Sequence, residues 1–437
     1  MKTTYLLQLT LILLLIVSPA SAGDGDGVVR GGFLSLGEVE RTVLANNPAL
    51  KAAEKKWLAR KARVPQAAAW EDLRAQGTSR VQRYVSIPPN AFMDQTFSLQ
   101  QEVPITGKNL SRARAATAEA GAAFEDFRRT QLDVVSRART AFYRLANEYA
   151  QLELNRRNVD LLNQFAKISR DRYEVGNAAQ ADVLTAETDA AKLIENEADI
   201  LLRISNAQTE LNVLMNRPPQ SLLGQPAPLT FESLRFSLPQ LQAMAGAARP
   251  EVQRAQSRVE AEKFRVQLAN RQWVPDPTVT VQTQRYNDAS QTVSELDVAV
   301  SVPLPLFNAR KYSGAVTEAQ RNLESAQHEL ESTRTETLGL VRDKLTKVQT
   351  AAHHYELYRE KILPLARQAV QSNRAAYETS SANFLGLITS QRVLQDAESM
   401  ALNHLADYRT GLAELDAVVG LEQPLPETTP ETRRQSK

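Results

Sequence analysis

VSRARTAFYRLANEYAQL, residues 135–152, places Val135, Ala138, Phe142, Leu145, Tyr149 and Leu152 at spacings of 3, 4, 3, 4 and 3. That rhythm marks a helix packing along another helix at a shallow angle, as in a coiled coil. Outward from this stretch, neither proline nor a helix-breaking cluster interrupts the chain between Asn109 and Tyr173; Gly121 is the one weak point. Roughly 60 helical residues rising about 1.5 Å each would reach roughly 90 Å. A single globular core cannot bury a rod of that length, so it needs other rods beside it. The rhythm returns at Val341, Leu345, Val348, Ala352 and Tyr355, and at Ala191, Ile194, Ala198 and Leu201.

The return is part of a larger duplication. Asn47-Pro48-Ala49-Leu50 is answered by Arg249-Pro250-Glu251-Val252, and Gln82-Arg83-Tyr84 by Gln284-Arg285-Tyr286. Val103-Pro104-Ile105 recurs as Val302-Pro303-Leu304, Arg172-Tyr173-Glu174 as Ala376-Tyr377-Glu378, and Thr209-Glu210-Leu211 as Ala413-Glu414-Leu415. Matches in one order at nearly constant offset mean that one unit is used twice. Each copy reads helix, two strands, very long helix, sharp turn, helix. The expected boundaries are 23–215 for the first repeat, 216–238 for a Pro-rich linker crossing the outside of the helices, and 239–420 for the second. A Pro/Glu/Thr/Arg-rich tail, 421–437, is expected to be disordered.

The strands are short and alternate. In Asp94–Val103, Phe97, Leu99 and Val103 share one face, while Ser98, Gln100 and Glu102 share the other. In Ser294–Val302 the apolar face is Leu296, Val298, Val300 and Val302; in Thr278–Tyr286, Val279 and Val281 oppose Thr280, Gln282 and Gln284. Leu73–Ser86 is the least regular. Pro88-Pro89-Asn90 and Asn287-Asp288-Ala289-Ser290 supply hairpin loops. Period-2 alternation with one polar face suits a water-filled membrane barrel. Four strands cannot close one, because edges would stay unpaired in lipid; three copies would supply twelve. Arg83-Tyr84 and Arg285-Tyr286 are equally well read as an interfacial aromatic girdle or as exposed strand ends.

The N-terminus places the chain. Lys2, the apolar run Leu6 to Val17 and the small residues Ala20-Ser21-Ala22 read as a secretory signal peptide over residues 1–22. No later run approaches the roughly 20 apolar residues of a membrane-spanning helix. The chain has no cysteine, which removes thiol catalysis, Cys-based metal sites and disulfides. Its 52 Lys+Arg against 50 Asp+Glu lack the basic excess of a nucleic-acid binder. No G-x-S-x-G, H-E-x-x-H, P-loop or Gly-rich dinucleotide fingerprint occurs, so no enzyme is expected. Neighbouring acids such as Glu195 and Glu197 read as a solvated helix face. His328, His353, His354 and His404 include no i, i+4 pair and are expected at the surface, with no metal and no cofactor.

Arg249-Pro250-Glu251-Val252, Val302-Pro303-Leu304-Pro305-Leu306-Phe307-Asn308 and Arg172-Tyr173-Glu174-Val175-Gly176, in this order and duplicated, resemble the TolC-like outer-membrane factors over about Leu36 to Gly420. Val302–Asn308 with Thr106-Gly107-Lys108 is most similar to the branch serving heavy-metal (cobalt-zinc-cadmium type) resistance-nodulation-division pumps. The resemblance implies a mainly α fold with a small transmembrane β part: a homotrimer whose strands form a 12-stranded β-barrel and whose long helices form a periplasmic α-barrel. It implies an efflux channel in the outer membrane of a Gram-negative bacterium. A periplasmic adaptor (membrane fusion) protein would join it to an inner-membrane pump. It also implies that the tips near Tyr173–Asp182, with Gly176 and Asn177 in the turn, and near Tyr377–Gly386 are the closed periplasmic end and adaptor contact. The family often carries acidic residues just past the second tip; here Gly386 and Thr389 stand there, and Asp182 is the acid at the equivalent first-repeat place. Asp182 is either a lumen-facing ring or an ordinary helix-start carboxylate favoured by the macrodipole. The competing expectation is a soluble periplasmic coiled-coil scaffold or adaptor, although adaptors usually carry a β-rich domain and a single hairpin.

Overall fold

The computed structural model describes residues 33–79, 94–288, 291–304, 307–379 and 383–421. The expected signal peptide, Arg83-Tyr84, the Pro88-Pro89-Asn90 loop and the tail beyond Leu421 lie outside the described residues. The first repeat runs α1 (Leu36–Asn46), α2 (Pro48–Ala68), β1 (Arg74–Ser79), β2 (Asp94–Glu102), α3 (Lys108–Glu174) and α4 (Gln180–Leu214). The second runs α5 (Leu238–Ala248), α6 (Pro250–Arg271), β3 (Thr278–Asp288), β4 (Gln291–Ser301), α7 (Ala309–Leu357), a π-helical turn at Tyr358–Ile362, α8 (Leu363–Glu378) and α9 (Phe384–Val419). The architecture is mainly helical, with one small antiparallel sheet.

The long rod is α3, whose 67 residues extend about 100 Å at 1.5 Å per residue. Val135, Ala138, Phe142, Leu145 and Leu152 are buried along it, as the heptad spacing requires. Ala138, Phe142, Leu145 and Leu152 meet Val39 and Val43 of α1 and Ile200, Ile204 and Leu211 of α4. In the second repeat Val341, Leu345 and Val348 meet Leu241, Tyr408, Leu412 and Leu415. The third expected stripe differs. Ile194 is 58% and Leu201 47% exposed, whereas Leu193, Ile200 and Ile204 of the same helix are buried. α4 therefore carries two apolar faces, and the sequence rhythm falls on the open one.

Prolines open the joints between short and long helices. Asn47 caps α2 by accepting from the Ala49 and Leu50 N–H groups, and its amide donates to the Leu214 carbonyl at 2.9 Å. At the matching joint, Arg249 precedes Pro250 and grips Glu251 through two bonds of 3.0 and 3.1 Å. A left-handed residue follows each returning helix: Asn216 at φ +56 after α4 and Gly420 at φ +87 after α9. The segment between the repeats straps α7 and α9, where Phe231 packs on Tyr355 and Tyr408 with ring centroids 4.9 Å apart in both cases. Arg409 also donates to the Thr230 carbonyl at 2.7 Å.

Polar contacts tie the repeats together. Arg139 of α3 is 3% exposed and spans Glu40 of α1 at 2.6 Å and Asp416 of α9 at 3.0 Å. Further along, α3 and α9 meet through amides: Asn147 donates to Asn403 at 3.0 Å and Gln391 to Asn158 at 3.1 Å. Where α3 leaves the sheet, Asp276 accepts from the Thr106 N–H at 3.0 Å and its hydroxyl at 2.7 Å, and pairs with Lys108 at 3.1 Å. Burial would raise its pKa, but the Thr106 and Lys108 donors outweigh that and hold the carboxyl below its ordinary value. Arg271 completes the clamp, donating to the Gly107 carbonyl at 2.6 Å and to Ser111 at 2.8 Å.

Candidate functional site: sheet wall and helical tips

The sheet has the order β1-β2-β3-β4. Directly opposed residues of an antiparallel pair share a face, so the register sorts the side chains into rows. Phe97, Thr283 and Leu296 form one row, Leu99, Val281 and Val298 the next, and Gln101, Val279 and Val300 a third. On the opposite face lie Gln76, Ser98, Gln282 and Asp297, then Thr78, Thr96, Gln284 and Glu295. Leu296 is 71% exposed and Val298 69%, while Asp94 and Ser98 are buried. A water-soluble sheet packs the other way. An outward apolar face with a polar inner one is the wall of a membrane barrel. Among the described residues β1 and β4 are each paired on one side only, and backbone groups in lipid must be paired, so these four strands are a segment of a wall and not a closed one.

The strand expectations held for three strands, and β1 is described only over Arg74–Ser79. The β3–β4 ladder runs further than expected: Asn287 pairs with Thr292 and Asp288 with Gln291, and Ala289-Ser290 of the expected loop lie outside the described residues. Tyr286 faces the polar side, where its hydroxyl donates to Glu295 at 3.0 Å. It therefore does not join a lipid-facing girdle.

At the far end of the rods, α3 stops in a Schellman turn. The Asn177 N–H bonds the Arg172 carbonyl at 2.8 Å and the Gly176 N–H bonds that of Tyr173 at 2.9 Å. Gly176, at φ +76, supplies the left-handed residue that this turn needs. Tyr173 is half-exposed, whereas Tyr377, at the other tip, is 4% exposed. Its hydroxyl lies 3.2 Å from that of Ser169, Phe384 packs against its ring, and the Arg172 guanidinium sits 4.5 Å over it. The two tips thus interlock through Arg172 and Tyr377.

Asp182 and Gly386 occupy the same place, the third residue of α4 and of α9. Asp182 is half-buried, and no hydrogen bond or ion pair engages its carboxylate among the described residues. Asn383 caps α9 by accepting the Gly386 N–H at 3.1 Å; no such side-chain cap precedes Asp182. Thr389 is exposed. Beyond them Asp189 of α4 receives Arg392 of α9 at 2.6 and 2.8 Å. Sequence reasoning did not single out this bridge, because its partners stand in different repeats with no periodic signal between them.

The model of outer membrane efflux proteins matches residues 40–217 and 241–421, which is most of the chain and both repeats. The chain belongs to the outer membrane efflux protein family. Among curated relatives, the efflux protein is 24% identical to the cobalt-zinc-cadmium resistance protein CzcC of Cupriavidus metallidurans, over 75% of this chain and 77% of that one. It is 19% identical to the outer membrane protein TolC of Escherichia coli, over 71% and 67% of the two chains. Among solved structures, it shares its fold with the outer-membrane channel OprN (TM-score 0.74, 16% identity, 88% and 89% covered). CusC is as similar (0.75, 15%, 88% and 92%), as is VceC of Vibrio cholerae (0.72, 20%, 88% and 96%). The efflux protein is accordingly an outer-membrane channel protein with a large periplasmic part, and nothing in these likenesses favours a soluble scaffold.

The histidines of this efflux protein are less scattered than their spacing implied. The rings of His354 on α7 and His404 on α9 lie 5.0 Å apart, and Tyr358 flanks His404 at 5.1 Å. Burial first, then the His354 charge, lowers the His404 pKa, against a weaker pull from Asp407. Single-helix spacing could not show a pair that forms across two helices. Among the described residues, no group of three or more His, Cys, Asp or Glu is placed to hold a metal ion, and no helix is long and apolar enough to cross a membrane.

Proposed function

We propose that this chain forms a homotrimeric exit duct that carries metal ions or small toxic compounds across the periplasm and outer membrane. An inner-membrane pump supplies the energy and a periplasmic adaptor makes the joint. The duct is passive and not an enzyme; selectivity rests on lumen width, charge and gating. The observation that carries the reading is the four-stranded sheet with its apolar face outward and both edges open, set on helices too long for one chain to bury. Metal cargo is supported by the similarity to CzcC, a cobalt-zinc-cadmium resistance protein. In this reading the hairpin ends around Tyr173–Asp182 and Tyr377–Gly386 are the periplasmic gate and adaptor contact, and Asp182 is the acid that faces the lumen.

The test begins with extraction from outer membranes in mild detergent. A trimer resisting SDS until boiled, and conducting ions in lipid bilayers, is the expected result. A water-soluble monomer absent from the membrane fraction would overturn it. Deleting the gene should raise sensitivity to cobalt, zinc or cadmium; unchanged metal tolerance with altered drug tolerance would move the cargo to small organic compounds.

A further inference from the structure

The helices nearest the sheet form a layer in which α2 packs on α3, α3 on α6, and α6 on α7. Chain connectivity joins α2 to β1, β2 to α3, α6 to β3 and β4 to α7. Helices and strands therefore run in one order, and both layers end at the same two edges, α2 with β1 and α7 with β4. If β4 of one copy pairs with β1 of the next, α7 of the first must lie beside α2 of the second.

Those two edges differ in charge. Lys51, Lys55, Lys56, Arg60, Lys61 and Arg63 are all exposed on α2, with Glu54 its one acid. On α7, Glu318, Glu324, Glu329, Glu331 and Glu336 are exposed, against Arg321 and Arg334 in the same span; Arg321 is already tied to Glu324 at 2.6 Å. α2 rises toward the sheet and α7 descends from it. Lys51–Arg63 covers about 18 Å and Glu318–Glu336 about 27 Å at 1.5 Å per residue. The acidic stretch is thus long enough to run beside the whole basic one.

The duplication supplies the register. The offset joining Val103 to Val302 and Asn109 to Asn308 also joins Glu119 to Glu318 and Glu125 to Glu324. The offset joining Pro48 to Pro250 joins Lys56 to Arg258 and Arg63 to Arg265. The α3–α6 contact is the chain's own example of this junction between units, and there Arg265 is bonded to Glu119. Substituting α7 for α3, and α2 of a neighbour for α6, turns that pair into Glu318 and Arg63. Neither of these has a hydrogen bond or ion pair among the described residues.

We propose that adjacent copies of this chain are joined by an electrostatic seam between the acidic span of α7 and the basic α2, registered by Glu318 of one copy on Arg63 of the next. The seam rests on the trimeric reading above and specifies which faces mate and at what height. Each exposed pair is weak and screened by salt, so its role is to select register while the strands supply strength.

Arg63→Glu, Glu318→Arg and the double exchange should be compared in the full-length, detergent-extracted protein by the temperature at which the SDS-resistant trimer dissociates. Each single exchange should lower it by several degrees at low salt, and the double exchange should recover most of the loss. About 0.5 M sodium chloride should shrink the differences. Singles that behave as the parent, or a double that falls below both, overturn the seam while leaving the trimer standing. A parent with no trimer at all refutes the assembly itself. Because the chain has no cysteine, Arg63→Cys with Glu318→Cys and a short bis-maleimide gives a second reading. Covalent dimers and trimers are expected; monomers alone from a trimeric sample refute the register.

Discussion

The two long rods came from one ancestral unit and now live differently. α3 is flanked by α2, α4, α6 and α9 and runs unbroken through its 67 residues. Its counterpart crosses residues 309–378 as α7, a π turn and α8, with few buried side chains in its upper half. A rod enclosed on several sides is held to one helical geometry by its neighbours, and it keeps an even heptad face and tethers such as Arg139. A rod at the edge of its chain tolerates a proline and a charged surface, because fewer elements of its own chain press on it. Duplication supplied the same scaffold twice, and position in the layer decided what each copy could change.

The strongest way to break this comparison is to remove a tether from each rod. Arg139→Leu takes the guanidinium away from both Glu40 and the buried Asp416; losing one partner of a buried pair costs about 3–5 kcal/mol. The equivalent change on the outer rod is Lys344→Leu. The Lys344–Glu414 pair spans 2.6 Å with its side chains 23% and 40% exposed, and such pairs are worth about 0–1 kcal/mol. Thermal melting in detergent should show a large drop for the first variant and a small one for the second. Equal drops would mean that burial, and hence position in the layer, is not what separates the rods.

The joints offer the next test. Gly420 sits at φ +87, and a Cβ on it would lie 2.8 Å from the Arg249 Cα and 2.9 Å from the Ala248 carbonyl. Gly420→Ala therefore meets both backbone strain and a backbone collision. Left-handed strain alone costs about 1–3 kcal/mol, and the collision adds to it. Asn216 holds the corresponding place at φ +56, and Asn216→Gly should change stability by less than about 1 kcal/mol. Chemical denaturation of the two variants sharpens the contrast: one joint demands glycine by contact, while the other accepts any residue that tolerates the left-handed region.

A smaller effect is expected at the clamp between sheet and helices. The folded Asp276 carboxyl titrates below its ordinary value, so its contribution is complete above the unfolded pKa of about 3.9 and is lost as pH falls through the folded value. The parent should therefore lose stability below about pH 4, while Asp276→Asn starts lower at neutral pH and falls less steeply on acidification. Parallel acid profiles for the two would show that Thr106 and Lys108 do not hold the carboxylate in solution.

Much of this was legible in the order of residues. Heptads announced the rods, the matched Pro joints announced the duplication, and alternation in Leu296–Val302 announced a two-faced strand, because each follows from a fixed period. What escaped lies between elements. The inward Tyr286, the Asp189–Arg392 bridge and the His354–His404 contact depend on which helix or strand faces which, and periodicity within one element carries no such information. The apolar stripe Ala191, Ile194, Ala198 and Leu201 is plain in the sequence, yet its own chain leaves it open. A heptad shows that a face will be covered, not that the same chain covers it.

The least energetic prediction concerns the break itself. Pro364 has no N–H to give to Glu360 four residues back, and its ring would crowd that carbonyl in a regular α-helix. The chain instead widens, and the Leu363 N–H bonds the Tyr358 carbonyl five residues back. Pro364→Ala removes the reason for widening but also loosens the unfolded chain, and these effects oppose each other at about 0.4–1 kcal/mol. Stability should therefore move little. Amide exchange over Tyr358–Leu365 should nonetheless slow, as a regular ladder replaces the π turn. If exchange there is unchanged, the widening belongs to the packing of Tyr358 against His404 rather than to the proline. Tyr358→Ala would then be the substitution that restores the α-helix, and the difference between the rods would be owed to a contact instead of a backbone constraint.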